Sequence, residues 1–166
     1  GIATFKPDAL PCSLNVPELI QQPIEAAGRS LIFTGVSVGN PHCVVFKPTG
    51  ESWSREEFLA LGPALEHHKL FPKRTNVQLV VPTGRNEVFI LIWERGAGET
   101  QASGSSSCAA ASAAVRLGLV KSPVTVKMPG GVLNIAVAPD FSLTMKGPVA
   151  EVARGTLSPS FIRGLK

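Results

Sequence analysis

Between Arg95 and Cys108 the chain reads "RGAGETQASGSSSC" and passes directly into "AAASAAVRLGLV". Glycines and hydroxyls followed at once by an alanine run make a loop that enters a helix, and a helix start offers free N–H donors to an anion. Gly96 and Gly98 let the backbone bend around a ligand. Gly104 keeps side-chain bulk away from the first N–H groups, and Ser105, Ser106 or Ser107 can cap the first turn. An ordinary glycine-rich strand-to-helix turn carries the same pattern, so the run alone leaves both readings open.

The elements that must position this loop are legible around it. "LIFTGVSV" (31–38) and "HCVVFK" (42–47) are strands joined by the Gly39-Asn40-Pro41 turn. Ser54 with Glu57 three residues later forms a capping box before Phe58, Leu59 and Leu61, predicting a short helix that Gly62-Pro63 interrupts, with a further turn over Leu65 to His68. "TNVQLVV" and "EVFILIW" are two more strands around a Pro82-to-Asn86 turn, the second running straight into Glu94-Arg95. From Pro123 on, "VTVKM", "VLNIAVA", "FSLTMK" and "VAEVARG" have the rhythm of an antiparallel meander. The helix from Cys108 to Leu117 is alanine-rich on every face, which means burial on every face, and Gly118 is its expected stop. The predicted fold is α+β, a mixed or largely antiparallel sheet of roughly eight strands curled around one central buried helix.

Composition narrows the function classes. With 44% hydrophobic and 17% charged residues the 166-residue chain is a globular domain able to bury a core. Its net charge of +4 comes from scattered Lys and Arg with no basic run, which argues against nucleic acid as a partner. Cys12, Cys43 and Cys108 are odd in number, widely spaced and without metal-type spacing, as expected of reduced thiols in a cytoplasmic protein with no metal site. No apolar run reaches membrane-spanning length. The chain opens on Gly1 rather than Met, and "GIATFKPDALP" reads as a strand entry already in progress. A longer protein is therefore expected.

Three segments together carry a family resemblance. "GNPHCVVF" from Gly39, "HHKLFPKRTNVQLV" from His67 and "WERGAGETQASGSSSCAAASAA" from Trp93 resemble the C-terminal half of the diaminopimelate epimerase family in identity, order and spacing. The "GPVAEVARGTL" run extends the resemblance towards the end of the chain, and proline racemase relatives lack this combination. The resemblance implies that residues 1–166 are the C-terminal domain of a two-domain protein whose N-terminal domain is absent here. It implies an epimerase that interconverts LL- and meso-diaminopimelate by two-base proton transfer, with neither pyridoxal phosphate nor metal nor any other cofactor. The substrate α-carboxylate would sit between two helix starts, one per domain. Asn40 and Asn76 would hold the distal end of the substrate, and Arg95 would grip a distal carboxylate bidentately, which lysine does poorly. Glu94 would accept from the substrate ammonium, His42 would tune proton transfer, and Gly104 and Ser105 would offer backbone N–H groups to the α-carboxylate.

Each of these residues also has a plain structural role: Asn40 as a turn residue, His42 as a half-buried polar group, Asn76 as a strand-edge residue, Glu94-Arg95 as a solvated pair. The departure from the family is at Ser103. The resemblance puts the catalytic cysteine there, and an unactivated hydroxyl is far too weak an acid to replace a thiolate base. Three outcomes follow. Ser103 relays a proton with His42 or Glu94; the absent domain's cysteine acts alone, as in a one-base isomerase or tautomerase; or the domain binds an amino acid without catalysis. The first is favoured, the chain alone is expected to be inactive, and a homodimer is left open. No membrane partner is expected.

Overall fold

A computed structural model describes residues Gly1–Leu165. Nine strands form one sheet: β1 (Gln22–Ala26), β2 (Arg29–Ser37), β3 (Pro41–Phe46), β4 (Asn76–Gly84), β5 (Glu87–Glu94), β6 (Gly98–Thr100), β7 (Val124–Met128), β8 (Gly131–Val137) and β9 (Leu143–Lys146). Their order is β1-β2-β3-β4-β5-β7-β8-β9, with β6 added beside β5. The β3–β4 and β5–β7 pairs are parallel and the others antiparallel, so the expected α+β mixed sheet is present. Each parallel pair is bridged by a helix, α1 (Arg55–Glu66) in the first crossover and α2 (Gly104–Arg116) in the second. A parallel connection needs such a crossover because the chain must return to the starting edge.

Alternation along the strands sorts two cores. Val44, Val80, Ile90 and Ile92 face the alanines of α2, whereas Cys43, Val45, Val77 and Leu79 face Phe58, Leu61 and Leu65 of α1. The two helices therefore cover opposite faces. The α2 residues Ala109, Ala110, Ala111, Ala113 and Ala114 are fully buried. This helix touches β2 to β5 on one side and β7 to β9 on the other, so the sheet bends round it, and small alanine side chains permit that approach. Gly118, at φ +70°, ends it as expected.

Several elements differ from the sequence reading. Gly62-Pro63 does not interrupt α1, which runs unbroken to Glu66. A Cβ on Gly62 would lie 2.6 Å from the Trp93 ring, so the glycine admits the indole against the helix. Proline inside a helix costs about 3 kcal/mol, and burying Phe58, Leu61 and Leu65 offsets this at about 1.5–3 kcal/mol each. Helix α2 begins at Gly104, four residues before the expected start at Cys108, and its cap is Ser103 rather than Ser105, Ser106 or Ser107. Strand β1 was hidden by Pro23, which an edge strand tolerates. The "VAEVARG" run forms no strand. Among the described residues it pairs with no strand, and Val149 and Val152 are 99% and 96% exposed. A short helix, α3 (Pro159–Arg163), follows with no buried residue. The "GIATFKP" start makes only isolated bridges, Ile2 to Ser142 and Thr4 to Ser37, although Ala3 and Phe5 are buried.

Candidate active site

The start of α2 is built by Ser103. Its extended backbone (φ −153°, ψ 127°) turns the chain into the helix, and its Oγ accepts from Ser106 N–H at 3.5 Å. Ser107 Oγ donates to Ser103 O at 2.8 Å, tightening the turn. Gly104 and Ser105 are then the first two helical residues, whose N–H groups have no acceptor within the helix. They line a cavity of about 340 Å³ together with Val38, Cys108 and Met145. Ser103 and Gly104 also face a second hollow of about 240 Å³ against Gly130 and Gly131. Another concavity, about 430 Å³, is at the other end of α2 beside Leu117 and Leu119, and none of the predicted site residues lines it.

The second cluster is set by strand register. His42 of β3 is opposite Asn76 of β4, and Val77 opposite Trp93 brings Glu94-Arg95 to the same level. Asn76 is buried and its amide is spent on backbone: Nδ2 donates to Pro41 O at 2.8 Å, and Oδ1 accepts from Arg95 N–H at 3.0 Å. It is neither an edge residue nor freely available to a ligand. The Arg95 guanidinium is exposed and donates to Lys73 O at 3.3 Å, leaving most of its N–H groups open. Glu94 is half-buried and accepts from Thr100 Oγ1 at 3.3 Å.

His42 is fully buried, not half-buried at a strand start. Its Nε2 is 2.9 Å from Asn40 Oδ1, an acceptor, which assigns the proton to Nε2. Nδ1 has no partner. Burial pushes its pKa down to about 4; the neighbouring Gln78 amide opposes this and the Arg95 charge adds to it. The ring is therefore neutral near pH 7, and its evident work is to hold the Asn40 amide.

Gln78 joins the two clusters. It is buried, its Nε2 donates to Ser106 Oγ at 3.0 Å in the first turn of α2, and its Oε1 is unpartnered. The sequence signal for it was a lone amide inside the apolar run "VQLVV". The structure thus brings together Asn40 with His42, and Asn76 with Arg95. It does not assemble a relay at Ser103. Among the described residues, the hydrogen-bond partners of Ser103 Oγ are Ser106 N–H and Ser105 Oγ (3.4 Å), and neither His42 nor Glu94 is one of them. Cys43 is fully buried and Cys108 half-buried, and burial pushes both thiols up, against thiolate formation. No group of three His, Cys, Asp or Glu side chains among the described residues could hold a metal ion. No helix among them is long and apolar enough to cross a membrane.

The family model for diaminopimelate epimerase matches residues 34–152. The chain belongs to the diaminopimelate epimerase family. A diaminopimelate epimerase of Synechococcus sp. is 41% identical over 159 residues, covering 94% of this chain and 56% of the relative. That of Azotobacter vinelandii is 47% identical over 156 residues, covering 93% and 55%. The chain thus spans about half the length of these curated relatives. A solved structure of a phenazine biosynthesis protein of the PhzF family from Bacillus anthracis covers 68% of this chain and 37% of its own, with a TM-score of 0.47 and 16% identity, too distant to bear on the chemistry.

Proposed function

We propose that this chain is the C-terminal domain of a cofactor-independent amino-acid isomerase of the diaminopimelate epimerase type, with Ser103 at the position of the family's cysteine. One observation carries the reading: Gly104 and Ser105, the first residues of a buried helix, whose N–H groups have no acceptor within it, line a cavity of about 340 Å³. Removing an α-proton leaves charge that spreads onto the α-carboxylate, and fixed N–H donors at a helix start stabilise that charge without reorganising. The exposed Arg95 guanidinium suits the second carboxylate of diaminopimelate. Glu94 and Asn40 supply acceptor and donor groups for the ammonium and the distal end.

The proton account is asymmetric. A base on the absent half removes the α-proton from one face, and the same base returns a solvent-derived proton to that face. At the other face stands a hydroxyl with no base among its hydrogen-bond partners. Exchange of the α-proton is therefore faster than inversion, and the residues preceding this half are required for either. The exposed apolar side chains of the tail, Val149, Val152, Leu157 and Phe161, support an adjoining domain that covers them. The chain's partners on this reading are small amino acids and the adjoining domain.

The test is deuterium wash-in by the complete protein on a panel of amino acids in heavy water. The expected result is α-deuterium in a diamino diacid such as diaminopimelate, appearing faster than the inverted stereoisomer. A second reading, non-catalytic amino-acid binding, is favoured by that same lack of a base beside Ser103. Binding without exchange would establish it and overturn the first.

A further inference from the structure

Glu66 is the last residue of α1, where the helix dipole disfavours negative charge, and it is only 3% exposed. A carboxylate in such a place needs donors, and it has them. Oε2 accepts from Trp93 Nε1–H at 2.8 Å, and Oε1 accepts from Gly96 N–H at 2.9 Å and from Arg74 Nη1 at 3.4 Å. Burial pushes its pKa up, but the Trp93 and Gly96 hydrogen bonds, with the nearby His67 and Arg74, more than reverse this, and it stays ionised.

Two of these donors flank Arg95. The Arg95 N–H is taken by Asn76 Oδ1 at 3.0 Å and the next N–H, of Gly96, by Glu66. Both peptide groups around Arg95 are thus clamped from other elements, with Gly96 at φ +80° completing a turn that other residues rarely adopt. Among the described residues the side chain itself is held by Lys73 O alone. Its direction is therefore set through its backbone. We propose that Glu66 is a positioning residue for Arg95, fixing the Arg95-Gly96 turn so that the guanidinium faces the distal carboxylate of the ligand; this rests on the ligand reading given above for Arg95.

The test is calorimetric binding of meso-diaminopimelate to the complete protein carrying Glu66→Gln, Arg95→Ala or both. Glu66→Gln is expected to weaken binding roughly tenfold, the scale of one charge-assisted hydrogen bond, and the double variant to bind within about twofold of Arg95→Ala alone. Wild-type affinity in Glu66→Gln would overturn the positioning role, as would losses that multiply in the double variant. Unchanged affinity in Arg95→Ala would instead remove the ligand reading of Arg95 and the positioning role with it. If Glu66→Gln does not fold, Trp93→Phe carries the test. It deletes one donor that aims the carboxylate while keeping an aromatic ring against Phe58, and about threefold weaker binding is expected. Unchanged affinity there overturns the role.

Discussion

Ser103 has two attributes that pull apart: it is chemically weak as a base, yet it stands where a thiol would be strongest. A thiolate at a helix cap gains from the free N–H groups and the dipole, typically enough to bring its pKa towards neutrality. Ser103→Cys in the complete protein is therefore expected to react with iodoacetamide at least tenfold faster than Cys43 or Cys108, and to raise the rate of inversion towards that of exchange. A new thiol that alkylates no faster than those two would mean that the α2 start does not stabilise an anion. Part of this site is legible at the residue scale, because the glycines and serines of the loop mark that a helix begins nearby, though not that Ser103 is its cap. The commitments of the amides are not. Nothing in "TNVQ" says that the Asn76 amide is spent on Pro41 and Arg95, since that follows from the register of β3 beside β4, a pairing between residues far apart in sequence.

Helix α1 illustrates the same division among elements. Its start is readable: Ser54 Oγ accepts from Glu57 N–H at 3.1 Å, and the Glu57 carboxylate accepts from Ser54 N–H at 2.8 Å. Its continuation through Gly62-Pro63 is not, because the reason is an indole from β5 packed on the glycine. Glu57 does more than cap. Lys47 Nζ is 2.7 Å and Arg29 Nη1 2.6 Å from its oxygens, tying α1 to β2 and β3. Hydrogen bonds from Lys47 first, then from Ser54 N–H, with a smaller one from Arg29, outweigh burial and hold its carboxyl down at about 2. The folded pKa is below the unfolded one, so this stabilisation is complete above the ordinary carboxylate range and is lost as pH falls towards 2. Glu57→Gln is expected to lower unfolding free energy by about 1–2 kcal/mol near pH 7, and by about half that near pH 3. Urea titrations at the two pH values check this. A loss independent of pH would mean that charge contributes nothing there.

At the scale of the molecule, the sheet and α2 enclose a core while residues 149–165 are all exposed. The exposed tail carries the apolar residues Val149, Ala150, Val152 and Ala153 without the strict alternation of a strand, and among the described residues it pairs with no strand. Ending the chain at Pro148 is expected to change its unfolding free energy by less than about 0.5 kcal/mol, as for surface changes generally. A large loss would mean that the tail packs on this domain after all. The central claim is that half of a two-sided site resides here, and it is tested most directly by one comparison: deuterium wash-in at the α-carbon of diaminopimelate by the 166-residue chain and by the complete protein, at equal concentration. The account predicts exchange by the complete protein and none by the chain alone, since one helix start and one hydroxyl supply no base. Exchange by the chain alone, or none by the complete protein, would contradict it.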